Sequence, residues 1–212
     1  MLKALIFDFD GTIVDTESLW FEVYYEYFKK KYNYQLPIET FSKGIGSDGE
    51  FLFKLIGTDL GEELNMDECL IELHSLFSDH SESLVVRKGV VNLINDAHKA
   101  GYKLAIASSS TKQWVLHYLH KFNLTNYFPI IKTRDDVHEV KPNPELYFKT
   151  IEALKLHPSE IVVMEDSYNG SMAATRANLR CIAVPNNVTK YTNFPKHIEV
   201  YQEFTDITLT NL

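Results

Sequence analysis

Leu5-Ile6-Phe7-Asp8-Phe9-Asp10-Gly11-Thr12 is the stretch on which the reading of this chain turns. The apolar run before it (Leu2, Ala4, Leu5, Ile6, Phe7) stops abruptly at an acid. A short unbroken run of this kind, bounded by a glycine, predicts a buried strand rather than a half-exposed alternating one. Asp8 is therefore expected where a buried strand ends, the place at which open α/β sheets bind their ligands. Asp10 adds a second acid two residues on, and Gly11 permits a tight exit that lets a ligand approach the backbone. Two carboxylates this close repel unless a cation or a shared proton separates them. A divalent metal meets that need, and hard oxygen donors suit Mg²⁺.

Two plainer readings compete. Asp8, Asp10 and Asp15 superficially follow a calcium-loop spacing, but an EF-hand needs an acid or amide at its fifth position, where Thr12 stands, and a helix rather than a strand in front. A strand followed by a solvated acidic turn is the other.

Working outward, Asp15 and Thr16 offer a cap for a helix over residues 17–32, whose Leu19, Trp20, Val23, Tyr24, Tyr27 and Phe28 recur at helical spacing. Lys29, Lys30 and Lys31 complement its C-terminal dipole. Ser47-Asp-Gly-Glu50 has capping-box spacing for a second helix that Gly57 would end. A third helix is expected over 65–80. Residues 16–82 thus read as helix after helix. From Arg87 the pattern changes to alternating helix and strand, with strands expected at Lys103–Ala107, Ile130–Ile131, Ile161–Met164 and Cys181–Val184. Such alternation predicts a Rossmann-like, doubly wound parallel sheet, an α/β fold. The helical block inserted after its first strand suggests a small separate cap. The expected division is a core of residues 1–15 and 83–212 and a cap of residues 16–82. The tail beyond Pro185 is less periodic.

Three more clusters fall where ligands would bind. The strand ending at Ala107 runs into Ser108-Ser109-Ser110-Thr111, hydroxyls and backbone N–H groups that can face an anion or simply cap a helix. Lys141 precedes Pro142 and so projects from a loop rather than joining a helix; most lysines are merely surface groups. Val162-Val163-Met164 runs into Glu165-Asp166-Ser167, repeating the acid-at-strand-end arrangement of Asp8.

Phe-Asp-Phe-Asp-Gly-Thr-Ile-Val-Asp, the hydroxyl cluster at 108–111, Lys141-Pro-Asn-Pro and Glu165-Asp166 together resemble, in order, the four motifs of the haloacid-dehalogenase-like (HAD) superfamily. The resemblance spans nearly the whole chain, and residues 16–82 fit its small helical cap. It implies an Mg²⁺-dependent phosphatase acting on small phosphorylated metabolites, sugar phosphates foremost, through an aspartyl-phosphate. By that resemblance Asp8 is the nucleophile, Asp10 the general acid and base, Ser108 the phosphate-binding hydroxyl, and Lys141 the bridge between nucleophile and phosphate. Asp8, Asp10, Glu165 and Asp166 would serve the metal. Trp20, Lys43, Ser47 and Ser109 are the expected substrate contacts, although Lys43-Gly-Ile-Gly46 could equally be a plain loop and Trp20 could pack in the cap core. Dehalogenases and phosphonoacetaldehyde hydrolases of the superfamily lack the second acid, here Asp10. The chief rival is a β-phosphoglucomutase-like phosphosugar mutase. Those enzymes carry a His and an Arg where this chain has Trp20 and Ser47, and Asp15-Thr-Glu-Ser-Leu-Trp20 looks like hexose-phosphate phosphatases. Response-regulator receivers also group acids, a hydroxyl and a lysine, but they lack Asp-x-Asp-Gly-Thr and the helical insertion. A silent binding protein is disfavoured by the intact catalytic positions.

The 212 residues suffice for a full core, and 45% hydrophobic and 24% charged residues describe an ordinary globular chain. A net charge of −8 argues against nucleic acid and leaves anion attraction to a bound cation and a few placed donors. There is no apolar run of membrane-spanning length and no leader pattern, and the two cysteines, Cys69 and Cys181, suggest neither a disulfide framework nor a metal knuckle. The expectation is a cytoplasmic monomer, with no nucleic acid or membrane partner.

Overall fold

Ala4–Phe7 forms β1, buried throughout, in the interior of a six-stranded sheet. The computed structural model describes residues 1–45 and 50–212. The other strands are β2 (Lys103–Ala107), β3 (Ile130–Lys132), β4 (Ile161–Glu165), β5 (Arg180–Ala183) and β6 (Glu199–Val200). Their order is β3-β2-β1-β4-β5-β6, and every pairing is parallel. This is the α/β fold expected from the alternation of apolar runs. The two-residue β6, at the sheet edge, lies in the tail whose weak periodicity concealed it.

Alternate residues of the strands feed two cores. Leu5, Phe7, Leu104, Ile106, Val162 and Met164 face one side, with α5 (Val90–Lys99) and α6 (Lys112–Lys121) contributing Leu93, Ile94, Val115 and Leu119. Ala4, Ile6, Ala105, Ala107 and Val163 face the other, against α7 (Glu145–Leu154) and α8 (Tyr168–Arg176). A strand buried on both faces needs apolar residues at every position, which explains the unbroken run of β1.

Residues 16–80 hold α1 (Thr16–Tyr32), α2 (Ile38–Gly44), α3 (Glu50–Leu60) and α4 (Met66–His80). The Asp15 side chain caps α1 by accepting from Ser18 N at 3.1 Å, and Asn65 caps α4. Aromatic packing joins these helices: Trp20 stacks on Phe77 with centroids 4.0 Å apart, and Tyr24 meets Phe41 at 5.2 Å. One expectation is corrected. Gly57 does not end its helix, because α3 continues to Leu60. Gly57 is needed there for space, since a Cβ would lie 2.7 Å from the Glu62 carbonyl oxygen, and the left-handed turn falls instead on Gly61. Ser47, and with it the capping box expected at 47–50, lies outside the described residues. No helix among the described residues is long and apolar enough to cross a membrane.

Candidate active site

The strand order reverses between β1 and β4, and crevices at the carboxyl ends of strands open at such points. Phe7 is in register with Met164 of β4 and Ile106 of β2, so the next residues of β1 and β4, Asp8 and Glu165, emerge side by side. The Asp8 N–H donates to the Met164 carbonyl at 2.9 Å, which extends the ladder by one step and fixes the direction of the carboxylate. Three motifs separated by up to 158 positions in sequence, at the ends of β1, β2 and β4, are thereby brought to one edge of the sheet by strand pairing, and the loop before α7 brings Lys141 to them.

Asp8, Glu165 and Asp166 form a buried cluster in which one carboxylate oxygen of each lies within 4.8 Å of the others. Lys141 enters this cluster as its single ammonium among the described residues, donating to Asp8 Oδ1 at 2.5 Å and to Glu165 Oε1 at 2.7 Å. One cation between two carboxylates, with a third beside them, leaves the group negative. Burial pushes the Asp8 carboxyl up to about 7; Lys141 pulls against that shift, and Glu165 and Asp10 add to it. Asp166 is raised well above the ordinary range by burial, with Asp8 and Glu165 adding to the effect. Burial works against the charge on Lys141, but the carboxylates of Asp8 and Glu165 outweigh it and hold the ammonium above the usual lysine value. A buried group of hard oxygen donors with uncompensated negative charge fits a divalent cation.

The donors differ in how free they are. Glu165 Oε1 also accepts from the Tyr147 hydroxyl at 2.7 Å, and Oε2 accepts from Asp166 N, Ser167 N and Ser167 Oγ between 3.2 and 3.4 Å. A carboxylate has about four lone-pair directions, so Glu165 is engaged on every side. Asp166 accepts from Thr12 Oγ1 on Oδ1 at 3.3 Å and, on Oδ2, from Asn186 Nδ2 at 2.9 Å and Thr189 Oγ1 at 3.3 Å. Gly11 is required beneath it: with φ +76° and a hypothetical Cβ only 2.3 Å from Asp166 Oδ2, no side chain fits.

The Asp10 side chain points elsewhere. Its Oδ2 accepts from Ser110 Oγ at 2.6 Å and its Oδ1 from the Trp114 indole N–H at 2.8 Å. Burial raises its carboxyl above the ordinary value, and these two hydrogen bonds pull it back. The side chain of Asp10 is thus apart from the three-carboxylate cluster, although two residues separate it from Asp8. Ser108 is buried where β2 ends, and its Oγ accepts from Ser110 N at 3.1 Å, leaving its own proton to donate. Ser109 beside it is half-buried.

A cavity of about 680 Å³ opens over Asp10, bounded by Thr16, Glu17 and Trp20 of α1, by His74 and Phe77 of α4, and by Ser110, Trp114 and Arg134. Trp20 faces this space and a second, smaller one of about 250 Å³, while one face of its ring is taken by Phe77. Lys43 is exposed in the last turn of α2 and borders neither cavity.

Glu17, Trp114 and Asn186 escaped the sequence reading of the site, while Ser110 entered it only within the hydroxyl run at 108–111 and Tyr147 only as an aromatic of the helix after Lys141-Pro-Asn-Pro. Glu17 accepts from Thr16 Oγ1 at 2.9 Å, and its carboxyl is raised well above the usual range by burial, with Asp166, Asp10 and Asp8 adding to it. Arg87 binds three carbonyls, of Gly11, Val184 and Pro185, at 2.6 to 2.9 Å, tying the loop after Asp10 to the end of β5. Lone residues of these types carry no motif.

Residues 5–184 match the family model of haloacid dehalogenase-like hydrolases. YhcW of Bacillus subtilis, a proposed phosphatase, is 43% identical over 89% of this chain and 86% of its own length. The phosphorylated carbohydrates phosphatase of Thermotoga maritima is 30% identical over 85% of this chain and 84% of its own. The crystal structure of CbbY from Rhodobacter sphaeroides in complex with xylulose-1,5-bisphosphate superposes with a TM-score of 0.78 at 26% identity, covering 100% of this chain and 99% of that one. The chain belongs to the haloacid dehalogenase-like hydrolases and is an enzyme of their phosphatase kind.

Proposed function

We propose that the enzyme is an Mg²⁺-dependent phosphomonoester hydrolase acting on small phosphorylated metabolites, sugar phosphates foremost, through a phosphorylated Asp8. The observation that carries this reading is Asp8 at the end of β1, held by Lys141 and flanked by Asp166, with the acid Asp10 two residues on. An Asp8 carboxylate oxygen forms a bond to phosphorus in line with the leaving oxygen, whose P–O bond breaks as Asp10 gives it a proton. Asp10, now ionised, takes a proton from a water molecule whose oxygen attacks the same phosphorus and frees Asp8. Lys141 and the Ser108 hydroxyl bear on the phosphoryl oxygens, whose charge must be stabilised in both steps. Asp8 and Asp166 would hold Mg²⁺, with the fully engaged Glu165 behind them anchoring Lys141; when bound, the ion supplies neutralisation of phosphoryl charge. The Asp10 side chain, turned to Ser110 and Trp114, stands outside that donor set and serves the proton transfers.

The division into a core of residues 1–15 and 83–212 and a cap of residues 16–82 belongs to the same proposal. Its support is the cavity bounded by α1 and α4 on one side and by Ser110 and Trp114 on the other. Closure of such a cap excludes water from the reacting centre. Glu17 and Trp20, which border the cavity, are the proposed substrate contacts, and Ser109, Lys43 and Ser47 belong to the same proposal on the resemblance alone. Relatives that act on phosphorylated carbohydrates or bind a ketose bisphosphate support a sugar phosphate. A mutase is disfavoured because Trp20, stacked on Phe77, offers no group that can relay a proton. The cysteines are both free and buried, which agrees with a reducing, cytoplasmic compartment.

The test is phosphate release from a panel of phosphorylated metabolites, with and without Mg²⁺, beside Asp8→Asn. Release that requires both the ion and Asp8 supports the hydrolase; interconversion of β-glucose 1-phosphate and glucose 6-phosphate without release would replace it with the mutase.

A further inference from the structure

The Asp10 carboxylate is held on both oxygens by side chains that lie 100 and 104 positions away in sequence. Ser110 can rotate its hydroxyl and act as donor or acceptor, but an indole N–H can only donate. The Trp114 bond therefore sets the plane and direction of the carboxylate, while the Ser110 bond adapts to it. Trp114 is itself firmly placed from the core side. Thr111 caps α6 by accepting from Trp114 N at 3.3 Å, and Tyr118 packs edge-on to the indole with centroids 4.7 Å apart. The remaining side of the indole is met by Phe77 of α4, at 5.7 Å, and Phe77 is in turn stacked on Trp20 of α1. A continuous chain of rings thus runs from the helical segment to the residue that hydrogen-bonds Asp10.

We propose that Trp114 is a positioning residue that aims the Asp10 carboxylate at the leaving oxygen, and that Phe77 holds the Trp114 ring in the place where it does so. This rests on Asp10 being the general acid of the proposed hydrolase. It makes the acid fully aligned only when α4 is packed on α6, so proton delivery is coupled to the seating of the helical segment over the cavity.

The experiment exploits the leaving group, using the full-length enzyme with Mg²⁺ and two probes. Glucose 6-phosphate must release an alkoxide that needs a proton, whereas para-nitrophenyl phosphate releases a phenolate that does not. Trp114→Phe keeps the ring and deletes the N–H. It should lower kcat/KM for glucose 6-phosphate by roughly 10-fold, as expected for a small misalignment of a general acid, and change that for para-nitrophenyl phosphate by less than about 2-fold. Phe77→Leu should show the same selective loss, and adding it to Trp114→Phe should cost little more, since both act through one bond. Asp10→Asn is the control and should show a larger selective loss, on the order of 100-fold. Equal losses on both probes in Trp114→Phe, or strictly additive losses in the double variant, would overturn the proposal while leaving the hydrolase reading intact. Where another sugar phosphate of the panel is turned over faster it takes the place of glucose 6-phosphate, and Asp10→Asn without selectivity would remove the acid itself and this inference with it.

Discussion

Lys141 Nζ lies 2.5 Å from Asp8 Oδ1, inside a site where the lysine is 8% exposed and the aspartate 7%. The ion pair spans 133 positions of sequence and joins the loop before α7 to the end of β1. Removing one partner of a buried pair leaves the other charge uncompensated, and here Glu165 would lose its cation as well. Lys141→Met should therefore destabilise the fold by about 3–5 kcal/mol, the range for breaking a buried pair, and suppress phosphate release in any protein that still folds. Chemical denaturation beside a release assay measures both; a variant of unchanged stability would show that the pair carries no structural load.

The carboxyls of Asp8, Asp10, Glu17 and Asp166 are all raised in the folded chain. The folded state then binds more protons than the unfolded state from the ordinary carboxylate value of 3.8 up to about 7 for Asp8. Stability is fully present below that window and falls as pH rises through it. Metal-free protein in a chelator should show a Tm lower at about pH 7.5 than at about pH 5, by at least roughly 2–4 °C for a loss of about 1 kcal/mol. Saturating Mg²⁺ should recover most of that difference near neutrality and add little at the acid end. A Tm that is flat with pH, or indifferent to Mg²⁺, would contradict the acidic cluster as a cation site.

Glu17 faces three other acids across the site. Glu17→Gln keeps its shape and removes its charge. In metal-free protein it should raise Tm at the alkaline end of the folded range, where the native carboxyl ionises, by roughly 2–4 °C for about 1 kcal/mol, and by nothing near pH 4.5, where the raised carboxyl is protonated. A gain that is the same at the alkaline and the acid end would point to packing rather than charge.

Gly170 occupies the first turn of α8 with the Glu165 carboxylate against its backbone; an added Cβ would stand 1.9 Å from Glu165 Oε1. Gly170→Ala must push Glu165 aside, and through it Lys141 and Tyr147. Overpacking of this kind costs about 1–3 kcal/mol, and turnover should fall further than stability alone explains, because Lys141 loses its second anchor. An unaffected kcat would show that Lys141 is placed without Glu165.

Tyr147→Phe deletes one hydroxyl that donates to Glu165 Oε1 from a wholly buried ring. Leaving one lobe of a buried carboxylate unpaired should cost about 1.5–3 kcal/mol, as for hydrogen bonds to charged groups. Denaturant midpoints of the two proteins test it directly.

The local sequence determined the strand ends and their chemistry. An unbroken apolar run closing on Asp8, another closing on Glu165-Asp166, and a third closing on Ser108 are local signals, because burial on both sheet faces forces apolar residues at every position and a polar residue then marks the end. The helical insert was legible for the same reason, from spacing along α1 and α4. Gly57 misled because a glycine that ends a helix and one that makes room for a neighbouring carbonyl look identical in one dimension. What only the tertiary structure decided is which groups meet. Strand order placed β4 beside β1 and so set Lys141 between Asp8 and Glu165. The packing of α6 brought the Trp114 indole to Asp10, and Glu17 was turned into the site by the first turn of α1. Tyr147, Asn186 and Arg87 supply single hydrogen-bonding groups from distant segments. Such contacts depend on direction in space, which no spacing along the chain encodes.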